Sequence, residues 1–203
     1  MNEQERVRSV TDKFEIVEVS TIAMVCRDTG DWARLAHCFH PDARLTTSWF
    51  DGTAREFAEQ SKNMMEGHHP GDTQRHMMSN PRVTLNGRRA INEFYLVLHQ
   101  GRTLDGYEFD FLTWSVTLDL FEKRDGGWRI SKRTMIYEKG RMDPRTPGSV
   151  PSRDRASVRP AISAASKALC SSGRSRRRRA TGPSRWSWKG AFMRRSGDSW
   201  CCP

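Results

Sequence analysis

Two stretches of the chain concentrate side chains that could move protons. One is Asp28-Thr-Gly-Asp-Trp-Ala-Arg-Leu-Ala-His-Cys-Phe-His-Pro-Asp-Ala43, and the other is Arg75-His76-Met77-Met78-Ser79-Asn80. Carboxylate and imidazole together make an acid–base pair: the carboxylate accepts from one ring nitrogen, fixes the tautomer, and stabilises the ring once the other nitrogen takes a proton. Within these stretches Asp31 reads as a helix cap and Asp42 as a turn residue. His37 and His40 are three apart rather than the four that sets two histidines well on a helix, and no cysteine or carboxylate set completes a zinc site. His68-His69 falls in a loop. The chain has no glycine-rich phosphate loop and no serine in a nucleophile-elbow context.

The elements that must position these groups follow from periodicity. Apolar residues three and four apart over 11–27 (Phe14, Ile16, Val17, Val19, Ile22, Ala23, Val25, Cys26) predict a helix capped at Ser9 or Thr11 and stopped at Gly30. A second helix runs from Trp32 to Phe39, a strand from Ala43 to Trp49, and a third helix over 53–67. Long strands then alternate with turns at Asn86-Gly87, Asp105-Gly106 and Asp125-Gly126. The apolar phase slips between Phe109/Phe111 and Trp114/Val116/Leu118/Leu120, which predicts a β-bulge near Leu112-Thr113. In the last strand, Trp128, Ile130, Lys132, Thr134 and Ile136 form one face, and Arg129, Ser131, Arg133, Met135 and Tyr137 the other. Helices followed by an antiparallel meander give an α+β fold with the helices on one face of a bent sheet, and a mostly apolar pocket between the layers.

Composition divides the chain. The formal net charge of +10 is carried by the last quarter: residues 1–150 hold 21 Lys+Arg against 22 Asp+Glu, whereas 151–203 hold 13 Lys+Arg against Asp154 and Asp198 alone. The basic run Arg176–Arg179 stands outside the patterned region and lacks interleaved aromatics on a scaffold, so nucleic acid is not the expected partner. Residues 144–203 read as an Arg/Ser-rich, disordered tail, a composition that an out-of-frame reading of GC-rich DNA would also produce. The charged start Met1–Arg8 has no apolar run after it, and no stretch suffices to span a bilayer, so no membrane partner and a cytoplasmic location are expected. Five cysteines at irregular spacing form no disulfide framework.

Three motifs in this order resemble the SnoaL-like branch of the nuclear-transport-factor-2-like superfamily. They are Asp28-x-Gly-Asp-Trp leading to Phe39-x-Pro-Asp-Ala43, the strand histidine in Arg75–Asn80, and the closing hairpin Asp125-Gly-Gly-Trp-Arg-Ile-Ser-Lys-Arg133. The resemblance covers roughly residues 8–143 and implies a cone-shaped barrel of a strongly bent antiparallel or mixed sheet packed on N-terminal helices, with the domain over 1–143. Relatives with known chemistry, scytalone dehydratase and the lindane dehydrochlorinase among them, use an Asp–His pair and neither a metal nor an organic cofactor. By position the aspartate falls on Asp28, the histidine on His76, and the dehydrochlorinase's last-strand arginine on Arg133. The lysine that the dehydrochlorinase carries shortly before its aspartate has no counterpart in Ala23-Met24-Val25.

The expectation is a lyase or isomerase of the dehydratase or cyclase type, acting on a hydrophobic cyclic small molecule. His76 is then the base, Asp28 its partner and Arg133 an electrostatic helper, with Trp49, Met78, Tyr95 and Trp114 lining the substrate pocket. The competing readings are that Asp28 merely satisfies backbone N–H groups, that Arg133 pairs with an acidic residue inside the cone, and that the chain is a non-catalytic small-molecule-binding cone or the small subunit of a ring-hydroxylating dioxygenase. The resemblance also implies a dimer or trimer of identical chains.

Overall fold

The computed structural model describes residues 1–145. The first helix, α1 (Glu3–Thr29), starts eight residues before the expected one. Its cap is Asn2, whose side chain accepts from the Glu5 N–H at 2.9 Å while Glu5 accepts from the Asn2 N–H at 2.8 Å. This capping box lies on turns that are exposed all round, so apolar periodicity could not reveal it. Gly30 ends α1 with φ 76°, the left-handed conformation glycine adopts without a Cβ penalty. Asp31 caps α2 (Trp32–His37) by accepting from the Arg34 N–H at 3.0 Å. Strand β1 (Phe39–Thr46) begins sooner than expected and includes Pro41. It leads through Trp49 to β2 (Asp51–Thr53) and α3 (Ala54–Glu66), which Thr53 caps with Glu56 in a second capping box.

Four long strands complete the fold: β3 (Thr73–Asn86), β4 (Arg89–Leu104), β5 (Tyr107–Arg124) and β6 (Gly127–Pro144). The sheet order is β2-β1-β6-β5-β4-β3, with β1 parallel to β6 and all other neighbours antiparallel. The sheet is mixed and open rather than closed into a barrel, and β3 is one of its edges. An edge tolerates Pro81, which sits with left-handed Asn80 in a bulge between Ser79 and Arg82. The hairpins at Asp105-Gly106 and Asp125-Gly126 carry positive φ at both turn residues, the geometry that matches strand twist.

The phase slip in β5 is not a bulge in that strand. β5 pairs with β4 without interruption, and both irregularities lie against β6, where Ser131 and Glu138 are the extra residues. Ser131 shifts the phase of β6, so Trp128 and Ile130 share the inner face with Arg133 and Met135; the single alternation expected for this strand is corrected at that residue. Along β5 the inner positions are Thr113, Ser115, Thr117, Asp119 and Phe121, and the outer ones are Leu112, Trp114, Val116, Leu118 and Leu120. The middle of β5 is therefore polar inward and apolar outward.

Helix α1 crosses the inner face from the β5–β6 hairpin to the β3 edge, and polar contacts of three of its residues mark the path. Asp12 accepts from Lys123 Nζ at 2.6 Å and from Trp128 Nε1 at 2.8 Å, Ser20 Oγ donates to Asp119 at 3.1 Å, and Asp28 meets His76. Beneath α1 and the short helices lies an apolar core that includes the fully buried Ile16, Leu35, Leu45, Phe121 and Ile130. Truncating Phe121 to Ala there would cost about 3–5 kcal/mol. A smaller cluster of Met24, Phe94 and Leu96, packed by Met78 and Met135, lies under the C-terminal half of α1, while Cys26 in its last turn belongs to the main core.

Candidate active site

The last turn of α1 and the first residues of β3 build the site. Asp28 stands in the last turn of α1, two residues before the Gly30 stop. His76 pairs with Leu98 across the β3–β4 ladder and shares its inward face. The Asp28 carboxylate holds His76 twice: Oδ1 lies 2.5 Å from ring Nδ1, and Oδ2 accepts the His76 backbone N–H at 2.7 Å. Gln74 Nε2 donates to Oδ1 from 3.4 Å. One carboxylate thus both satisfies an edge-strand N–H and holds the imidazole ring. The two side chains are 1% (His76) and 7% (Asp28) exposed, so the pair is screened from water.

The tautomer follows from a third residue. Arg27 Nη1 lies 3.0 Å from His76 Nε2. A guanidinium only donates, so Nε2 is the acceptor with the lone pair, and Nδ1 carries the proton given to Asp28. Burial lowers the His76 pKa below its ordinary 6.5; the Asp28 hydrogen bond opposes this, and the Arg27 and Arg133 charges add to it. For Asp28 burial pulls upward, but the hydrogen bonds from the His76 ring, its backbone N–H and Gln74 outweigh it and hold the carboxyl below 3.8. At neutral pH the pair is a carboxylate and a neutral imidazole with a basic outer nitrogen.

Arg27 is the residue in contact with His76 that sequence reasoning missed. It continues the inward stripe of α1 through Ile16, Ser20 and Ala23, at spacings of four, three and four. Its guanidinium centre lies 5.3 Å from the Trp49 ring and 5.0 Å from that of Phe57, which suits a planar cation. Burial lowers its pKa to about 10, with Asp28 opposing. In place of the apolar pocket expected at this pair, Nε2 faces the Arg27 guanidinium, which the Trp49 and Phe57 rings flank.

Arg133 forks onto Asp119, Nε donating to Oδ1 at 2.7 Å and Nη2 to Oδ2 at 2.6 Å, with both residues buried. The pairing with an internal acid therefore holds, and Arg133 reaches His76 through its field. Ser20 Oγ also donates to this Asp119, and Asn92 Nδ2 donates to Ser20 Oγ at 3.0 Å. Asn92 and Asp119 were legible as the inward positions of β4 and β5, had the β5 phase been read as unbroken.

The four residues expected to line the pocket divide evenly. Trp49 stacks on Phe57 beside Arg27, and Met78 lies two residues beyond His76 on the same face, packed on the Met24 cluster. Tyr95 and Trp114 are not brought to the dyad. Tyr95 is 51% exposed, and Trp114 pairs with Val97 on the outer face with Lys139 Nζ 5.0 Å from its ring centre. The placement of both is corrected by the unbroken β4–β5 register, which turns odd positions of β4 and even positions of β5 outward. His37 is exposed at the end of α2, bonded to the Ala33 carbonyl, while His40 is buried in β1 against the Glu122 carbonyl. The run Arg176–Arg179 lies outside the described residues. No helix among those described is long and apolar enough to cross a membrane.

Known proteins match this architecture. Pea pathogenicity protein 2 of Fusarium vanettenii is 29% identical over 131 residues, covering 63% of this chain and 55% of that protein, so the chain spans about half the length of that relative. Among solved structures, a hexachlorocyclohexane dehydrochlorinase is similar at 18% identity and a TM-score of 0.58, over 72% of this chain and 95% of the other. An NTF2-like protein with a cystatin-like fold from Novosphingobium aromaticivorans gives 21% identity and a TM-score of 0.57, over 75% and 92%. At these identities the structures share the fold. The SnoaL-like domain model matches residues 8–134, an interval that contains most of α1, Asp28 and His76, the inner polar positions of β5 and Arg133, and the chain belongs to that family.

Proposed function

We propose that this chain is a cofactor-independent lyase or isomerase of the dehydratase or cyclase type, acting on a hydrophobic cyclic small molecule. The observation that carries the reading is the 2.5 Å contact between Asp28 Oδ1 and His76 Nδ1, with the proton on Nδ1 and the lone pair on Nε2. Nε2 takes a proton from carbon, the new imidazolium is stabilised by Asp28, and the electron pair left on the substrate expels a leaving group or shifts a double bond. Arg133, held by Asp119, contributes positive field without touching the ring. The dehydrochlorinase likeness supports elimination as the reaction type.

The test uses 5-nitrobenzisoxazole, which loses its ring C–H proton to a base as the N–O bond breaks and a coloured cyanonitrophenolate forms. The folded chain should accelerate this reaction, and His76→Ala should lower the rate by about 10²–10⁴-fold. A wild-type rate equal to that of buffer, or one unchanged in His76→Ala with its fold intact, would sink the proposal. One observation favours a second reading, a non-catalytic binding cone or the small subunit of a ring-hydroxylating dioxygenase: Nε2 is capped by Arg27. The same assay separates the two.

We also propose that copies of the chain associate as a dimer or trimer through the outer face of the sheet. The rows Met77–Val97–Trp114 and Tyr95–Val116–Ile136 run across four strands there, with Met77, Tyr95 and Ile136 exposed. An apolar patch of this kind marks an interaction surface.

A further inference from the structure

We propose that Arg27 is an anion receptor, and that the substrate presents an anionic oxygen, a carboxylate or an ionised enol or phenol, to it. The inference rests on the acid–base reading of the dyad and names the chemical class that site would take. Among the described residues two guanidinium groups, those of Arg27 and Arg133, lie close to His76, and their partners differ. Arg133 has a carboxylate of its own, both oxygens of Asp119. Arg27 has none within ion-pair distance among the described residues. The charge that offsets it electrostatically is Asp28, and both Asp28 oxygens are committed to His76. Arg27 has instead one hydrogen bond, from Nη1 to His76 Nε2, and two aromatic faces. Its Nε is out of solvent and has no partner.

A buried cation with an unmatched N–H is costly unless something completes it. The missing group is an oxyanion, because the guanidinium fork matches two oxygens of a carboxylate or one strongly accepting enolate or phenolate oxygen. An anion taken by Nε–H and an adjacent Nη–H satisfies the unpartnered donor. That edge of the fork, Nε with Nη2, is distinct from Nη1, so the anion is held beside His76 Nε2 rather than on it, and an uncharged ligand can still meet the base.

The experiment is calorimetric titration of the full-length chain at about pH 8, where His76 is neutral. The probes are 2-naphthoate and its uncharged counterpart 2-naphthalenemethanol. Wild type should bind the naphthoate at least about tenfold more tightly than the alcohol, the scale of a charge-assisted hydrogen bond. Arg27→Gln should bring the two within about twofold, and Arg27→Lys should restore part of the preference by returning the charge without the fork. Equal affinities in wild type would overturn the inference whatever the variants do, as would a preference that survives in Arg27→Gln, which would place the anion elsewhere. If naphthoate is not preferred while His76-dependent benzisoxazole opening persists, the Arg27 inference fails and the acid–base reading stands. If naphthoate is preferred and benzisoxazole opening is absent, the acid–base reading has failed instead.

Discussion

Over Ser115–Asp119 the two faces of β5 invert the usual pattern of a sheet, while the inner face of neighbouring β4 keeps apolar Phe94 and Leu96 beside Asn92. Inward, β4 and β5 place Asn92, Ser115, Thr117 and Asp119 under the helices, all buried. Outward, the same strands place Tyr95, Val97, Trp114 and Val116, with Tyr95 half in water. A sheet serving only as the wall of an apolar core would do the opposite. The inversion shows that the inner face has been given over in part to charge and hydrogen bonding, and that the outer face carries apolar surface of the kind an interface buries. Site and interface are thus two sides of the same strands.

The largest effect expected from breaking this contrast lies on the inner face. Arg133→Met leaves Asp119 buried with only Ser20 as a donor, and urea unfolding should show a loss of about 3–5 kcal/mol. The double variant Asp119→Leu/Arg133→Met removes both charges and should recover most of that loss. Wild-type stability in Arg133→Met would mean that the buried pair is not holding the face together. Next in size is Asp28→Asn, which keeps a side-chain oxygen but removes the charge that supports an imidazolium. Benzisoxazole opening should fall by about 10²-fold or more while the unfolding midpoint moves far less.

On the outer face the expected change is in mass rather than stability. Tyr95→Lys with Ile136→Lys puts charge on two exposed positions, where single substitutions usually stay within about 0.5 kcal/mol. Sedimentation should then report single chains, with benzisoxazole opening per chain retained. An unchanged mass would place any association on another surface. The smallest effect is the pH dependence of stability. His76 has its folded pKa lowered, so the folded chain refuses a proton that the unfolded chain accepts. That contribution is complete above pH 6.5 and is lost as pH falls below it; Asp28, also lowered, adds a second loss as pH falls through 3.8. Arg27→Gln removes a cation beside Nε2 and raises the His76 pKa toward its unfolded value, so it should shrink the stability lost on acidification and move the acid limb of activity to higher pH.

Local chemistry explains which features were legible in the amino-acid sequence. Gly30, Asp31, Asp105-Gly106 and Asp125-Gly126 act through their own backbone preferences, and each stands where its type demands. The start of α1 was misplaced because its first two turns face solvent and carry no apolar period. The β5 phase was misread because hydrophobicity was taken to mark the inner face, whereas Thr113 to Asp119 turn polar groups inward. Tyr95 and Trp114 were assigned to the pocket for the same reason. Arg27 was hidden by its charge: an arginine before an aspartate at a helix end reads as a solvated pair. Only the inward stripe through Ser20 and Ala23 shows that it points at His76.

The measurement that bears most directly on the central claim is the protonation state of His76, read from the ¹⁵N and ring-proton shifts of the histidines, with His76→Ala identifying its signals. The account expects a neutral ring at pH 7 with the proton on Nδ1, titrating below the ordinary 6.5, and loss of that tautomer preference in Asp28→Asn. An imidazolium at pH 7, or a neutral ring with the proton on Nε2, would contradict it, because neither leaves a base on the nitrogen that faces the site.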